Sequence, residues 1–87
     1  MRTEFRASFA RDLRKIRNAD VLMRIRSAIL SVEEAVDIRS IPNLKKLSGG
    51  GPFRIRMGDY RIGLRIEADI AVFIRVLPRS DIYRYFP

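Results

Sequence analysis

Cysteine and histidine are both absent from the 87 residues. Without cysteine there are no disulfides, no thiolate nucleophile and no sulfur-ligated metal, an economy compatible with a reducing compartment. Without histidine the usual zinc ligands, Ser-His triads and the paired-histidine acid-base chemistry of many ribonucleases are also excluded. No apolar run approaches the roughly 20 residues that span a bilayer, and no opening stretch resembles a signal peptide. A soluble, cytoplasmic protein without membrane contact is therefore expected. Acidic residues are the scarce charge: 10 Asp plus Glu stand against 18 Lys plus Arg, for a net charge of +8. Fifteen of those cations are arginine, whose planar fork suits phosphate better than the point charge of lysine. A basic protein of this size points to a polyanionic partner, the plainer reading being a cation-rich surface that keeps the chain in solution.

At 47% apolar and 32% charged residues the composition is that of a globular chain. The length allows one domain, residues 1–87, burying about 60 to 65% of its unfolded surface. MRTEFRA alternates and reads as a first strand, with Ser8 placed to cap a helix in which Phe9, Leu13 and Ile16 recur at helical spacing. Asp20 can cap a second helix, along which Leu22, Ile25, Ile29, Val32 and Val36 form an apolar stripe. Residues 39 to 52, RSIPNLKKLSGGGP, read as a flexible loop. The triple glycine lacks the Lys-Ser/Thr pair and following helix of a phosphate loop.

From Phe53 the period becomes two. Phe53, Ile55 and Met57 alternate with Arg54 and Arg56, and Tyr60, Ile62, Leu64 and Ile66 alternate with Arg61, Gly63, Arg65 and Glu67. Gly58-Asp59 between them suits a type II′ hairpin turn. The run IAVFIRVL makes another strand, ended by Pro78. The expected architecture is α+β: an N-terminal strand, a helical hairpin, then an antiparallel β-meander with the helices on one sheet face.

A hairpin centred on Gly58-Asp59 sends the apolar set to the helices and Arg54, Arg56, Arg61 and Arg65 to the open face, with Arg56 directly opposite Arg61. Like charges so placed destabilise by up to about 1 kcal/mol. The next turn, near Ala68-Asp69, has no strong signature. An odd-length loop there would keep Ile70, Val72, Ile74 and Val76 in the core and bring Arg75 onto the charged face. Gly63 leaves a recess among the arginines, a sign that something approaches the backbone closely. One reading is that arginine stems merely cover the sheet, with Glu67 and Asp81 as neutralising partners. Two acids do not balance five guanidinium groups, and a phosphate-binding face does so better. In the short aromatic tail, Tyr85 and Phe86 read as anchors.

Taken together, the opening strand, the helical hairpin, the NLKKLSG connection, the FRIRMGDYRI hairpin and the RVLPRSDIYR ending resemble the RelE/ParE superfamily of bacterial toxins. The resemblance implies a microbial-ribonuclease-like fold and, in its RelE branch, cleavage of messenger RNA in the ribosomal A site. By position it implies catalytic roles for Arg54, Arg56, Arg61, Arg79 and Tyr83; Arg65 and Arg75 from the charged face, and Lys45 and Lys46 from the loop, are the expected RNA-binding residues. The 2′-OH would attack the adjacent phosphate while arginines stabilise the phosphorane. For the base, Tyr83, Lys45 or Lys46, and Asp81 are candidates; a phenol crowded by cations is stabilised as phenolate, which favours Tyr83. No cofactor or metal is expected. The resemblance further implies a cognate antitoxin, the ribosome with its mRNA, and operator DNA bound by the toxin-antitoxin complex as partners. Its ParE branch instead poisons DNA gyrase without nuclease activity, and a non-catalytic antitoxin-binding or nucleic-acid-binding module is the third possibility.

Overall fold

In the computed structural model, which describes residues 1–47 and 49–87, the chain begins with β1 (Arg2–Phe5), α1 (Ala7–Lys15) and α2 (Ala19–Glu34). A short 3-10 turn (Ile38–Ser40) and β2 (Leu44–Lys46) lead into β3 (Pro52–Met57), β4 (Tyr60–Glu67) and β5 (Ile70–Pro78), and α3 (Ile82–Tyr85) closes the chain. The strands form one sheet in the order β1-β5-β4-β3-β2. β3, β4 and β5 make the expected antiparallel meander, while β1 pairs parallel to β5, so the sheet is mixed. The region expected to be a loop contains an edge strand: β2 pairs antiparallel with β3 through Leu44↔Ile55, Lys45↔Arg54 and Lys46↔Phe53. Ser48, within that expected loop, lies outside the described residues.

The core lies between the helices and one sheet face. Phe9 of α1 and Ile25 and Val32 of α2 meet Phe53, Ile55, Met57, Ile62, Leu64, Ala71, Phe73 and Val76. Fully burying each of the larger side chains is worth roughly 1.5–3 kcal/mol. Phe73 collects two further rings, stacking on Phe5 at 5.2 Å and tilting against Phe9 at 5.5 Å, which ties β1 and α1 to β5.

Helix boundaries differ from expectation in ways that matter below. Arg6, not Ser8, occupies the N-cap of α1; Ser8 lies inside the first turn and donates its hydroxyl to the Ile74 carbonyl at 2.6 Å. The second helix is capped by Asn18, whose side chain accepts from the amides of Asp20 and Val21, so Asp20 falls in the first turn, where its charge suits the helix dipole. In the apolar stripe Ile25 and Val32 are buried, but Leu22 is partly exposed and Val36 lies beyond the helix end, almost wholly exposed, while Ala35 is buried in its place.

The β4–β5 connection is a two-residue turn, not an odd-length loop. Ala68 and Asp69 both take positive φ (48° and 66°), the conformation of a type I′ turn, and Glu67 pairs with Ile70. That register places Ala71 and Phe73 toward the helices and removes Ile70 and Val72 from the expected core. Val76 is nevertheless buried because the register shifts beside Gly63/Leu64: Leu64 pairs with Phe73, Gly63 with Arg75, and Ile74 is the extra residue of a bulge.

Candidate functional site

The Gly58-Asp59 turn sets the site. Gly58 has φ +57°, and Asp59 does not share the positive φ, as a type II′ turn requires. The resulting register pairs Met57 with Tyr60, Arg56 with Arg61 and Arg54 with Gly63. Since side chains alternate and paired residues share a face, Arg54, Arg56, Arg61 and Arg65 project from the sheet face opposite the core. Lys45 joins them through its pairing with Arg54, whereas Lys46, opposite Phe53, belongs to the other face. Two adjacent lysines in a strand cannot both serve one face. The amide of Arg79 donates to the Asp59 carbonyl at 2.7 Å, bringing that residue to the turn beside Arg56 and Arg61.

Two of these cations are held by carbonyl oxygens. One terminal nitrogen of Arg61 (Nη1) donates to Gly58 O at 2.7 Å and Tyr60 O at 2.9 Å, curling the side chain into the turn. Arg54 Nη1 donates to Asn43 O at 3.1 Å, and its buried Nε has no partner. A guanidinium carries five N–H donors, so most of each fork remains free. Among the described residues Arg54, Arg56, Arg61, Arg65 and Arg79 form no ion pair. Glu67 and Asp81 do not neutralise them; the ion pairs present are Arg39–Asp37 and Arg75–Asp12. Arg65 lies one row from Arg54, lining with Glu4, Glu67, Ile70 and Val72 a groove of about 360 Å³.

Arg75 departs from expectation. Its Nε and Nη2 donate to Asp12 at 2.8 and 3.1 Å, and its Cζ lies 5.4 Å from the centre of the Tyr85 ring. The hydrogen bond to Asp12 raises the Arg75 pKa above its ordinary value, against a smaller lowering by burial. Such a charge is occupied, and Arg75 is not one of the free cations of the face.

The recess at Gly63 is filled by the chain itself. A Cβ at that position would come within 2.6 Å of the Phe86 ring, so glycine is what lets Phe86 sit on β4. Phe86 and Ile82 are buried there, outside the main core, and they seat α3 against the sheet. Phe86 is thus the anchor of the tail, while Tyr85 is half-exposed. Tyr83, on α3, is also more than half-exposed.

Two contributors were not expected from sequence. Asp12 is buried although charged, and its signal was available: it falls on the same stripe of α1 as Phe9, Leu13 and Ile16, where a carboxylate demands a partner. Arg24 of α2 reaches the turn from the helix side, its Nη1 2.7 Å from where a Cβ at Gly58 would stand. No sequence-local pattern links those two positions.

One face of the sheet in this small α+β protein thus bears arginines that have no carboxylate partner among the described residues. The family follows from comparison with known proteins. Residues 3–83 match the family described as ParE toxin of type II toxin-antitoxin system, parDE, and the chain belongs to that family, within the RelE/ParE superfamily. It is 37% identical over its whole length, and over the whole of the relative, to Toxin RelE3 of Methanocaldococcus jannaschii. Among solved structures it is similar to the RelB-RelE antitoxin-toxin complex from Methanococcus jannaschii, with a TM-score of 0.80, 33% identity, and coverage of 97% of this chain and 99% of that one. It is also similar to the toxin-antitoxin complex RelBE2 from Mycobacterium tuberculosis, with a TM-score of 0.60, 26% identity, and coverage of 90% and 96%. The protein is a toxin of a toxin-antitoxin pair, and a cognate antitoxin is its partner. Among the described residues no helix is long and apolar enough to cross a membrane.

Proposed function

We propose that this toxin is a cytoplasmic, metal-independent endoribonuclease of the RelE type, acting as one domain over residues 1–87 and cutting mRNA on the ribosome. The observation that carries this reading is the set of Arg54, Arg56 and Arg61 on the sheet face opposite the core, which α3 covers in part through Phe86 at Gly63, with Arg79 at the same turn and, among the described residues, no carboxylate paired to any of them. The RelE names of its relatives support it. In the reaction the 2′-oxygen bonds to phosphorus, the P–O5′ bond breaks, and the products are a 2′,3′-cyclic phosphate and a 5′-hydroxyl. Tyr83 is the general base that takes the 2′ proton, and the arginines hold the added charge of the phosphorane. Water returns a proton to the leaving oxygen beside Arg79. With guanidinium groups that hardly deprotonate and one phenol, the acid-base set is weak. The ribosome then supplies the positioning.

The test is cleavage of one message, free and ribosome-bound, by wild type, Arg61→Ala and Tyr83→Phe. Ribosome-dependent cuts lost in both variants are expected; equal rates on free and bound message, or an unaffected Tyr83→Phe, would refute the scheme. The ParE description of the matched family favours a second reading, inhibition of DNA gyrase. Supercoiling inhibition that survives Tyr83→Phe, without mRNA cleavage, would establish it. Binding of operator DNA by the toxin-antitoxin complex is expected under either reading.

A further inference from the structure

Past Phe73, β5 has no strand on its outer side, because β1 pairs only with Ile70–Phe73. That free edge carries the bulge, and two residues one turn apart on α1 satisfy it. Ser8 donates to the carbonyl of the bulged Ile74, and Asp12 accepts from the Val76 amide at 3.0 Å while receiving both Nε and Nη2 of Arg75. Asp12 is 4% exposed, the one buried charged side chain among the described residues. Burying an ion pair costs so much desolvation that an apolar pair of similar size often stabilises as well. Stability alone is therefore a poor account of it. What the pair does geometrically is fix the Arg75 fork, whose Cζ lies over the Tyr85 ring, next in sequence to the seated Phe86.

We propose that Asp12, Arg75 and Tyr85 are positioning residues that hold the C-terminal segment 79–86, and with it Tyr83 and Arg79, in register with Arg54, Arg56 and Arg61. The inference rests on the ribonuclease reading for its consequence in catalysis, but the holding of α3 stands apart from it. Asp12 orients Arg75, Arg75 lies over the ring of Tyr85, and the buried Ile82 and Phe86, the latter on Gly63, anchor the other side of α3. Ile82 and Phe86 seat the four-residue helix along one side, and the Tyr85 contact fixes its rotation about that seat. Only the ring of Tyr85 is used; its hydroxyl is not.

The test uses the whole toxin. Tyr85→Ala, at a half-exposed position, and Arg75→Lys, which keeps the charge but loses the fork, serve as the disruptive variants, with Tyr85→Phe as the conservative one. Amide hydrogen exchange reads the segment directly through the Phe86 amide bonded to Ile82 and the Arg84 amide bonded to Asp81. Exchange at those amides is expected to accelerate about tenfold in Tyr85→Ala and Arg75→Lys while core amides are unchanged, and to stay at the wild-type rate in Tyr85→Phe. Ribosome-dependent cleavage should lose about tenfold or more in kcat with KM unchanged in the first two, and nothing in the third. Wild-type exchange in Tyr85→Ala would overturn the proposal. So would a Tyr85→Phe as impaired as Tyr85→Ala, since that would make the hydroxyl the working part. Failure of the wild type to cut mRNA would sink the ribonuclease reading alone, with exchange still deciding whether the three residues hold α3.

Discussion

At the Gly58-Asp59 end of the sheet Arg61 is held by two backbone carbonyls, whereas at the β5 bulge Arg75 is held by a carboxylate. Both residues are partly covered arginines of neighbouring strands, yet the first keeps its charge available and the second does not. A carbonyl dipole orients a guanidinium without cancelling its charge; a buried carboxylate cancels it. Orientation without neutralisation is what an anion site needs, and neutralisation is what a structural clamp needs. The difference comes from α1, which projects Asp12 at the bulge and has no counterpart at the turn.

The contrast can be broken at either end. Removing a free cation should have the largest effect: Arg61→Ala is expected to lower cleavage of ribosome-bound message by about 10²- to 10³-fold, the range for one lost electrostatic stabiliser, with little change in the urea midpoint. At the clamp the loss should appear as stability instead. Asp12→Ala strands the Arg75 fork and the Val76 amide, and about 2–3 kcal/mol should disappear in chemical denaturation, the partial exposure of Arg75 limiting the penalty. Gly63→Ala pushes a methyl into the Phe86 ring and should cost about 1–3 kcal/mol, with faster amide exchange in α3.

Smaller effects sharpen the comparison. Leu77 lies directly across from Arg61, so Leu77→Glu sets a carboxylate opposite a guanidinium that has no ion-pair partner among the described residues. Cleavage should fall about tenfold, and a fall in stability without a fall in cleavage would show that the charge of Arg61 need not be free. The response to pH comes last and separates the clamp from the exposed Asp37–Arg39 pair. The raised Arg75 pKa means that its stabilisation is complete below the ordinary guanidinium value and is lost only as pH rises through the raised one, above any assay range. By contrast the Arg39 side-chain bond, and then its backbone amide, lower the pKa of the exposed Asp37. Whatever that contact contributes is present above the ordinary carboxylate range and fades as pH falls through the lowered value. Any melting-temperature advantage of wild type over Asp37→Asn at pH 7 should therefore shrink in melts below about pH 4.

The hairpin from Phe53 to Ile66 was legible because its information is local: two-residue alternation and a Gly-Asp turn specify register, and register specifies which arginines share a face. Ala68-Asp69 lacks the glycine that marks a tight hairpin turn, and although Asp tolerates positive φ, Ala68 gives no sign of the positive φ that both adopt. The error propagated through Ile70 and Val72, as a one-residue slip in a strand must. The β5 bulge then restored Val76 to the core. Lys45 and Lys46 could serve one site together only from a loop; the three-residue edge strand β2 separates them to opposite faces.

Periodicity and composition thus suffice for the existence of the helices and the meander and for the row of arginines on the β3–β4 hairpin, because each depends on residues within a turn or a hairpin of one another. The clamp does not follow from such patterns. Asp12 meets Arg75 across 63 positions, and Phe86 finds the recess at Gly63 from the far end of the chain. Contacts of that separation exist only once the helices have closed over the sheet, when the cost of burying a charge makes the nearest opposite charge its partner. Which arginine stayed free and which was spent on structure was settled at that step.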